Sequence, residues 1–429
     1  MLKPSITTLS FVLILLSFGV SAQYNGIKFG KFSEKELKMT VYENDPDAGA
    51  VILSKIGTFD ASTLKFRHHL RVKILKKSAV DQWSNWSFWT PSKANFRIMV
   101  ANWENNKIVR QKAGKENLKI EEDNFGNNEY NVLAPNVRAG SIIDIEYEHF
   151  LLPYEFYFQD LIPVIYSELQ IGNSKDVFYN KMFFGLEPVQ YIEKKNLWIA
   201  KDIPAFKEEP YMSHYSNYLS KISFQIEASN LYHHYHHYFR SSWYHIKADL
   251  RQNRWFGRAL NNSNFLNSFV KQMNALDLQL DRKVDTAFAY VRSQIHWNEQ
   301  KRLYISDPDY NNFVKDHSGN SAEINLTLVA LLNKMNIKAY PVVLSTRNNG
   351  KLLRYRPNIS RLNYVVAYVQ ESGMLLDAAN ASTVPGMLPD YCLNGEGLVI
   401  DDNSDELNWV SLTSNFKHLE TQNWGFKYF

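Results

Sequence analysis

One serine in the C-terminal half of the chain lies where a nucleophile could act. Ser321 follows Gly319 and Asn320 at the predicted start of an apolar helix. A serine hydroxyl attacks an acyl group only when a general base removes its proton. The nearest histidine in sequence, His317, lies four residues upstream. Asn320 and Glu323 match the N-cap and N3 residues of a capping box, so the pattern favours a first-turn helix residue over a Ser321/His317 site.

Two segments around this serine follow one another in a recognisable order. Residues 319–347 have the pattern of a small-residue turn, an apolar helix and a β-branched strand, and residues 362–380 that of a strand, a turn and a strand ending in Leu-Asp-Ala. This order resembles the transglutaminase-like superfamily, in which a helix opens with a nucleophilic Cys and two later strands carry a His and an Asp. The resemblance assigns these positions to Ser321, Tyr364 and Asp377, so only the aspartate is retained.

The missing Cys and His determine what such a site can do. A helix N-terminus and a neighbouring imidazolium can lower a Cys pKa from about 8.5 to roughly 3.5. A serine gains no comparable activation, and a tyrosine with a pKa near about 10 is neutral at ordinary pH and is not a ready base. Losing triad residues costs on the order of 10⁴ to 10⁶ in rate, while substrate binding can persist. The resemblance therefore implies a degenerate active site with no confident catalytic residue.

Tyr364 lies in an alternating strand, where it shares a face with Val366 and Tyr368. If the superfamily geometry is kept, its hydroxyl approaches Ser321 and Asp377 and forms a Tyr–Asp or Tyr–Ser hydrogen bond in place of an ion pair. We expect such a bond to make these positions a structural network rather than a catalytic one.

A histidine cluster offers a different chemistry. It comprises His233, His234, Tyr235, His236 and His237, with His245 close behind. Imidazoles bind zinc, copper or nickel, but zinc motifs space their ligands across a turn or one helical turn apart, and consecutive strand residues point to opposite faces. We therefore expect no bound metal and no cofactor, and a metal-binding protein is the alternative.

Three tryptophans recur at every third position: Trp83, Trp86 and Trp89. In an extended strand Trp83 and Trp89 would share a face and Trp86 would point away. Such rings can stack on sugars or peptides, but buried aromatic packing is commoner, and core residues are expected here.

The first 22 residues have the pattern of a secretory signal peptide, with a basic start, an apolar run at 9–20 and small residues before Gln23. The run is shorter than the roughly 18 residues that span a bilayer. We therefore expect an exported protein, periplasmic or otherwise associated with the cell envelope, without a transmembrane anchor.

A formal charge of +4 without long basic runs gives no argument for nucleic-acid binding. The single cysteine, Cys392, excludes an intrachain disulfide and is expected to be a packed loop residue.

Hydrophobic periodicity separates the chain into two parts. The first half alternates with a period of two, as in Phe66, Leu70, Val72 and Ile74, and in Ile143, Ile145 and Tyr147 opposite Asp144, Glu146 and Glu148. This predicts an antiparallel β domain with one face in solvent. Helical spacing follows at Val284, Ala287, Phe288 and Val291, and again at Ile324, Leu328, Leu331 and Leu332; strands return at residues 337–344, 364–369 and 374–377. The second part is therefore predicted to be an α+β domain.

Four N-terminal segments extend the resemblance. Residues 28–39, 70–75, 134–149 and 158–169 resemble the β-rich domain of unknown function that precedes a transglutaminase-like domain in exported Bacteroidetes-type proteins. The implied organisation is a signal peptide (1–22), a β-rich domain (23–235), a transglutaminase-like, papain-like domain (236–400) and a C-terminal extension (401–429) that leads to a further β domain in longer relatives.

The expected function follows from the missing Cys and His of the active site. The sequence predicts a pseudoenzyme, that is, a noncatalytic binding or scaffolding protein of the cell envelope. Its expected partner is a protein, a peptide or a glycan rather than a nucleic acid. The alternatives are a serine-dependent acyl hydrolase or transferase using Ser321, and a metal-binding protein using the histidine cluster.

Overall fold

The computed structural model describes residues 27–90, 94–122, 128–150, 152–172, 177–210, 212–229, 237–238, 242–257, 263–306, 312–403 and 405–413. The predicted signal peptide lies outside these residues. The helices described are α1 (Glu34–Lys38), α2 (Val80–Ser84), α3 (Trp243–Gln252), α4 (Asn267–Asn274), α5 (Leu280–Gln294), α6 (Asn312–Lys315) and α7 (Ser321–Lys334). No helix in this part of the chain is long and apolar enough to cross a membrane.

The strands described fall into five sheets. They are β1 (Ala50–Asp60), β2 (Lys65–Ile74), β3 (Asn85–Thr90), β4 (Asn95–Glu104), β5 (Lys107–Lys112), β6 (Leu118–Glu122), β7 (Asn128–Leu133), β8 (Ile142–Phe150), β9 (Glu155–Tyr157), β10 (Val164–Ile171), β11 (Val177–Phe184), β12 (Gln190–Ile192), β13 (Leu197–Ile203), β14 (Lys221–Ser229), β15 (His237–Tyr238), β16 (His296–Trp297), β17 (Ser318–Gly319), β18 (Ala339–Leu344), β19 (Tyr364–Val369), β20 (Met374–Leu376), β21 (Glu396–Val399) and β22 (Trp409–Ser411). The mixed helix and strand content confirms an α+β protein.

The largest sheet has eight strands, in the order β12-β13-β10-β1-β2-β8-β4-β5. The predicted alternation is confirmed, because Phe66, Val72 and Ile143 are buried in one core with the partly buried Leu70. The predicted antiparallel pairing is found throughout this sheet except between β1 and β10, which pair in parallel. A period of two shows which side chains share a face, but it does not show the direction of the neighbouring strand.

The prediction that one face of this sheet lies in solvent holds only in part. The N-terminal segment covers the region around Asp144, where Phe32 and Leu37 pack with Leu53, whereas Arg97 on the same face is exposed. Charged residues on this face are buried as well: Lys73 and Asp144 are both 0% exposed. The charges resemble a solvated face in the sequence because the segment that covers them lies far away along the chain.

Two smaller sheets accompany it. One has the order β3-β7-β6; the other has β11-β14-β15, with β9 also paired to β14. The predicted extended tryptophan strand is wrong at its start, because Trp83 lies in α2 and β3 begins only at Asn85. The rings of Trp83 and Trp86 consequently contact each other, with centroids 5.2 Å apart, and both pack partly buried on the core. The Trp89 side chain lies outside the described part.

The C-terminal half is built on a five-stranded sheet of order β20-β19-β18-β21-β22. The predicted helical faces are confirmed: α5 buries Val284 and Phe288, and α7 is buried from Ser321 to Leu332. Alternating strand residues separate into two cores, so Val365 packs with the α7 leucines while Tyr364 packs with Val366, Leu388 and Cys392.

The sheets extend slightly beyond the predicted domain limits. Strand β15 pairs with β14 although it follows residue 235, and β22 pairs with β21 although it follows residue 400. Short pairings of this kind carry little hydrophobic pattern, so the sequence does not reveal them.

Candidate functional site

The start of α7 is fixed by the predicted capping box, which the structure confirms. The Asn320 Oδ1 atom accepts hydrogen bonds from the backbone N–H groups of Ala322 (2.9 Å) and Glu323 (3.0 Å). In return, the Glu323 carboxylate accepts from the Asn320 N–H at 2.7 Å. Glu323 also accepts from the Ser306 N–H at 2.8 Å, so the box holds a second loop against the helix.

Ser321 is 0% exposed and its hydroxyl is bonded to the backbone of one residue. The Oγ atom donates to the Arg302 carbonyl oxygen at 3.1 Å and accepts from the Arg302 N–H at 2.9 Å. His317 is exposed, and its Nδ1 donates to the Gln294 carbonyl oxygen at 2.8 Å. The structure therefore does not bring Ser321 and His317 together as a nucleophile and its base.

Tyr364 and Asp377 form the predicted Tyr–Asp hydrogen bond. The Tyr364 hydroxyl donates to Asp377 Oδ2 at 3.0 Å, and both residues are 0% exposed. The other carboxylate oxygen accepts from Asn325 Nδ2 at 2.8 Å and from the Ala379 N–H at 3.0 Å. The Tyr–Ser alternative is not what the structure shows, because the Ser321 hydroxyl bonds to Arg302.

Asn325 completes this network and was missed in the sequence. Its Nδ2 also donates to the Val365 carbonyl oxygen at 3.0 Å, and its side-chain oxygen accepts from the Ala378 N–H at 2.8 Å. The available signal was a polar residue between Ile324 and Leu326 in an otherwise apolar helix. A buried amide needs partners for all its groups, so such a residue indicates a polar network beneath the helix.

Two neighbouring residues close the network toward the surface. The hydroxyls of Tyr364 and Tyr391 lie 3.2 Å apart, and their rings meet edge to face with centroids 5.6 Å apart. The ammonium of Lys301 lies 3.8 Å from the centre of the Tyr391 ring. Cys392 is 0% exposed and belongs to the same core as Tyr364, so the fold brings it closer to the site than the sequence order suggests.

Burial also sets the protonation of these groups. It raises the pKa of Tyr364 well above its usual value, and the neighbouring Asp377 charge adds to the effect. Burial raises the pKa of the Cys392 thiol in the same way, and it raises that of Tyr391 to about 12. The site therefore offers no phenolate and no thiolate near neutral pH.

A groove lies outside this network, and we call it the Tyr391 groove. It has a volume of about 510 Å³, and its lining includes Tyr391, Glu208, Glu209, Asp390 and Arg347. The three carboxylates outnumber the single arginine, so the groove is acidic. Tyr391 links the groove to the buried Tyr364–Asp377 pair.

Most of the histidine cluster cannot be placed relative to this site. His233, His234, Tyr235 and His236 are outside the described residues, while His237 enters β15 and His245 lies in α3. In the part of the chain that is described, no group of three or more His, Cys, Asp or Glu side chains could hold a metal ion.

Comparisons with known proteins give a likeness of fold only. No family model matches the chain, and no curated protein matches it. A solved structure from Parabacteroides distasonis, described as a putative protease, aligns with a TM-score of 0.58 at 13% identity over 85% of this chain and 72% of its own. A structure from Cytophaga hutchinsonii, described as a putative cysteine protease, aligns with a TM-score of only 0.23 at 8% identity over 77% of this chain and 95% of its own. The second score is too low to support an argument.

Proposed function

We propose that this chain is a noncatalytic binding protein of the cell envelope, built on a β-rich domain and a transglutaminase-like domain whose active site is degenerate. The order of helix and strands around Ser321, Tyr364 and Asp377 supports the domain assignment, and so does the fold likeness to the Parabacteroides protein. The signal-peptide pattern of residues 1–22 supports export.

A single observation carries the noncatalytic part of the proposal. Each of the three triad positions is fully buried and hydrogen-bonded within the protein. An acyl-transfer site needs a nucleophile with a base in reach and space for the substrate carbonyl. Here Ser321 bonds to a backbone, Tyr364 donates to Asp377, and Asp377 serves as the acceptor for a buried network.

The Tyr391 groove is the proposed binding surface. Its exposed carboxylates, Glu208, Glu209 and Asp390, favour a cationic partner, and Tyr391 supplies an aromatic surface. Of the peptide, protein and glycan partners that the sequence leaves open, these charges favour a lysine- or arginine-rich segment of a protein.

Peptide binding tests this proposal. We expect acetyl-(Lys-Ala)₃-amide to bind more tightly than acetyl-(Glu-Ala)₃-amide in calorimetric titration at low salt. The double variant Glu208→Gln/Glu209→Gln should weaken binding of the basic peptide at least about fivefold, since two groove charges are lost. The exposed turn variant Glu371→Gln is the matched control and should bind as the wild type does. Equal binding of both peptides, or an unchanged affinity in the double variant, would reject the groove as the binding surface.

A further inference from the structure

A second recess lies where the N-terminal sheets meet the segment between β18 and β19. It has a volume of about 220 Å³. We call it the Arg356 pocket and define it by Glu155, Lys221, Trp243, Lys351, Arg356 and Arg361. The two halves of the chain are joined here, because Arg356 Nη2 donates to the Ser223 carbonyl oxygen at 2.8 Å and the Lys351 N–H donates to Asn217 Oδ1 at 3.0 Å.

The charges in this pocket do not balance. Four of its lining side chains are basic and one is acidic, which leaves a net charge of +3 (4 − 1). Glu155 pairs with Lys221 at 2.8 Å and also with Arg361, so the single carboxylate is already shared by two cations. Arg356 has no carboxylate partner among the residues described.

Arg356 is the residue that points to a ligand. It is only 8% exposed, and its Nη1 atom bonds to no other group in the described part of the protein. Burial lowers the pKa of this guanidinium, although the Glu155 charge opposes the change. A buried cation without a counter-charge is unfavourable, and guanidinium N–H groups pair strongly with carboxylate or phosphate oxygens.

The pocket lining is also partly apolar. Phe184, Leu352 and Leu353 line it together with Trp243, which is 3% exposed. The Trp243 indole N–H donates to the Arg354 carbonyl oxygen at 2.8 Å, and this bond holds the Arg356 segment in place. A ligand that matches both the basic and the apolar side chains carries an anionic group next to an apolar one.

We propose that the Arg356 pocket binds the oxyanion of a small molecule or chain end that also carries an apolar group. Carboxylate and phosphate share this recognition chemistry, since both accept hydrogen bonds from a guanidinium fork. The site is separate from the Tyr391 groove and does not depend on how that groove functions.

The test is a calorimetric titration with three probes: N-acetyl-L-phenylalanine, phenyl phosphate and the uncharged N-acetyl-L-phenylalaninamide. We expect at least one of the two anions to bind with a 1:1 stoichiometry and the amide to bind at least about tenfold more weakly. Arg356→Gln should weaken anion binding at least about tenfold, and Lys351→Gln, which changes an exposed lining residue, about two- to fivefold. The anion that binds with the higher affinity shows whether a carboxylate or a phosphate is the natural group.

Arg282→Gln is the matched control, because it removes an exposed arginine of α5 that lines neither the Arg356 pocket nor the Tyr391 groove, and it should leave anion binding unchanged. Thermal unfolding checks that Arg356→Gln is folded, and Lys351→Gln gives an independent readout if it is not. The inference is overturned if neither anion binds, if the amide binds as tightly as the anions, or if both pocket variants bind as the wild type does. None of these outcomes changes the peptide-binding test, so the two proposals fail separately.

Discussion

Replacement of Asp377 by alanine is expected to lower the free energy of unfolding by about 3 to 5 kcal/mol, since it leaves several buried hydrogen-bond donors without their acceptor. The Tyr364 hydroxyl, the Asn325 amide and the Ala379 N–H would all lose their acceptor inside a site that is closed to solvent. The exposed carboxylate of Asp402 provides the control, and Asp402→Ala should stay within about 0.5 kcal/mol of the wild type. Urea unfolding followed by circular dichroism measures both changes.

Asp377→Asn separates the hydrogen-bonding role of Asp377 from its charge. Its amide oxygen can keep the bonds from Asn325 and Ala379, and its NH₂ group can donate to the Tyr364 hydroxyl, which then donates to Tyr391. We therefore expect this variant to lie within about 1 kcal/mol of the wild type near neutral pH, as exchanges that leave every buried group paired are close to neutral. A loss as large as that of Asp377→Ala would show that the charge itself is required.

The stability of Asp377→Asn relative to the wild type should change with pH in a definite direction. Burial raises the pKa of Asp377 above its usual value of 3.8. The folded state then holds the proton more tightly than the unfolded state, so the wild type loses stability as pH rises from about 4 through the folded-state pKa. Asp377→Asn lacks this loss, and its stability relative to the wild type should improve across that window. Between pH 4 and 8, the difference in free energy of unfolding between Asp377→Asn and the wild type should therefore change with pH.

Asp144→Ala is expected to have a comparable effect in the N-terminal half, again about 3 to 5 kcal/mol. Asp144 is 0% exposed and accepts from the Gly30 N–H (2.7 Å), pairs with His69 Nε2 (2.7 Å) and accepts from Arg71 Nη2 (3.0 Å). Arg71 in turn contacts Glu36 at 3.0 Å, so this aspartate fastens the N-terminal segment to the large sheet. Its loss should also increase hydrogen exchange in α1.

Glu146 lies on the same strand and is the control for Asp144. Its partner Arg97 is exposed, so Glu146→Ala should cost no more than about 1 kcal/mol. Burial alone would raise the pKa of Asp144, but the hydrogen bonds and charges of His69 and Arg71 lower it overall. Its contribution is therefore present above the unfolded pKa and is lost as pH falls through the folded value, so the Asp144→Ala deficit should shrink in acid. A deficit equal to that of Glu146→Ala would contradict this account.

Local patterns predict much of this structure. The capping box of Asn320 and Glu323, the limits of β19 at Tyr364 and Val369, and the buried face of α5 all follow from residue types at fixed spacing. The sequence predicts the Tyr364–Asp377 bond as one of two alternatives, and the structure contains it.

Contacts between distant residues account for what the sequence does not show. Nothing local to Ser321 indicates that its hydroxyl bonds to the Arg302 backbone, 19 residues away. The parallel pairing of β1 with β10 and the covered face around Asp144 likewise depend on which segments meet in space. Tyr391 and the Arg356 pocket also lie outside any recognisable motif, because their neighbours come from separate parts of the chain.

Acyl hydrolysis by the wild type and Ser321→Ala is the most direct test of a noncatalytic site. The two proteins, with the exposed-serine variant Ser382→Ala as control, are compared for p-nitrophenyl acetate hydrolysis and for labelling by a fluorophosphonate, which is detected by intact mass and located by mass analysis of the digested peptides. The buried and bonded Ser321 hydroxyl predicts identical rates in all three proteins and no label on the peptide that contains Ser321. A wild-type rate at least about tenfold above that of Ser321→Ala, together with a fluorophosphonate adduct at Ser321, would contradict the account and establish a serine enzyme.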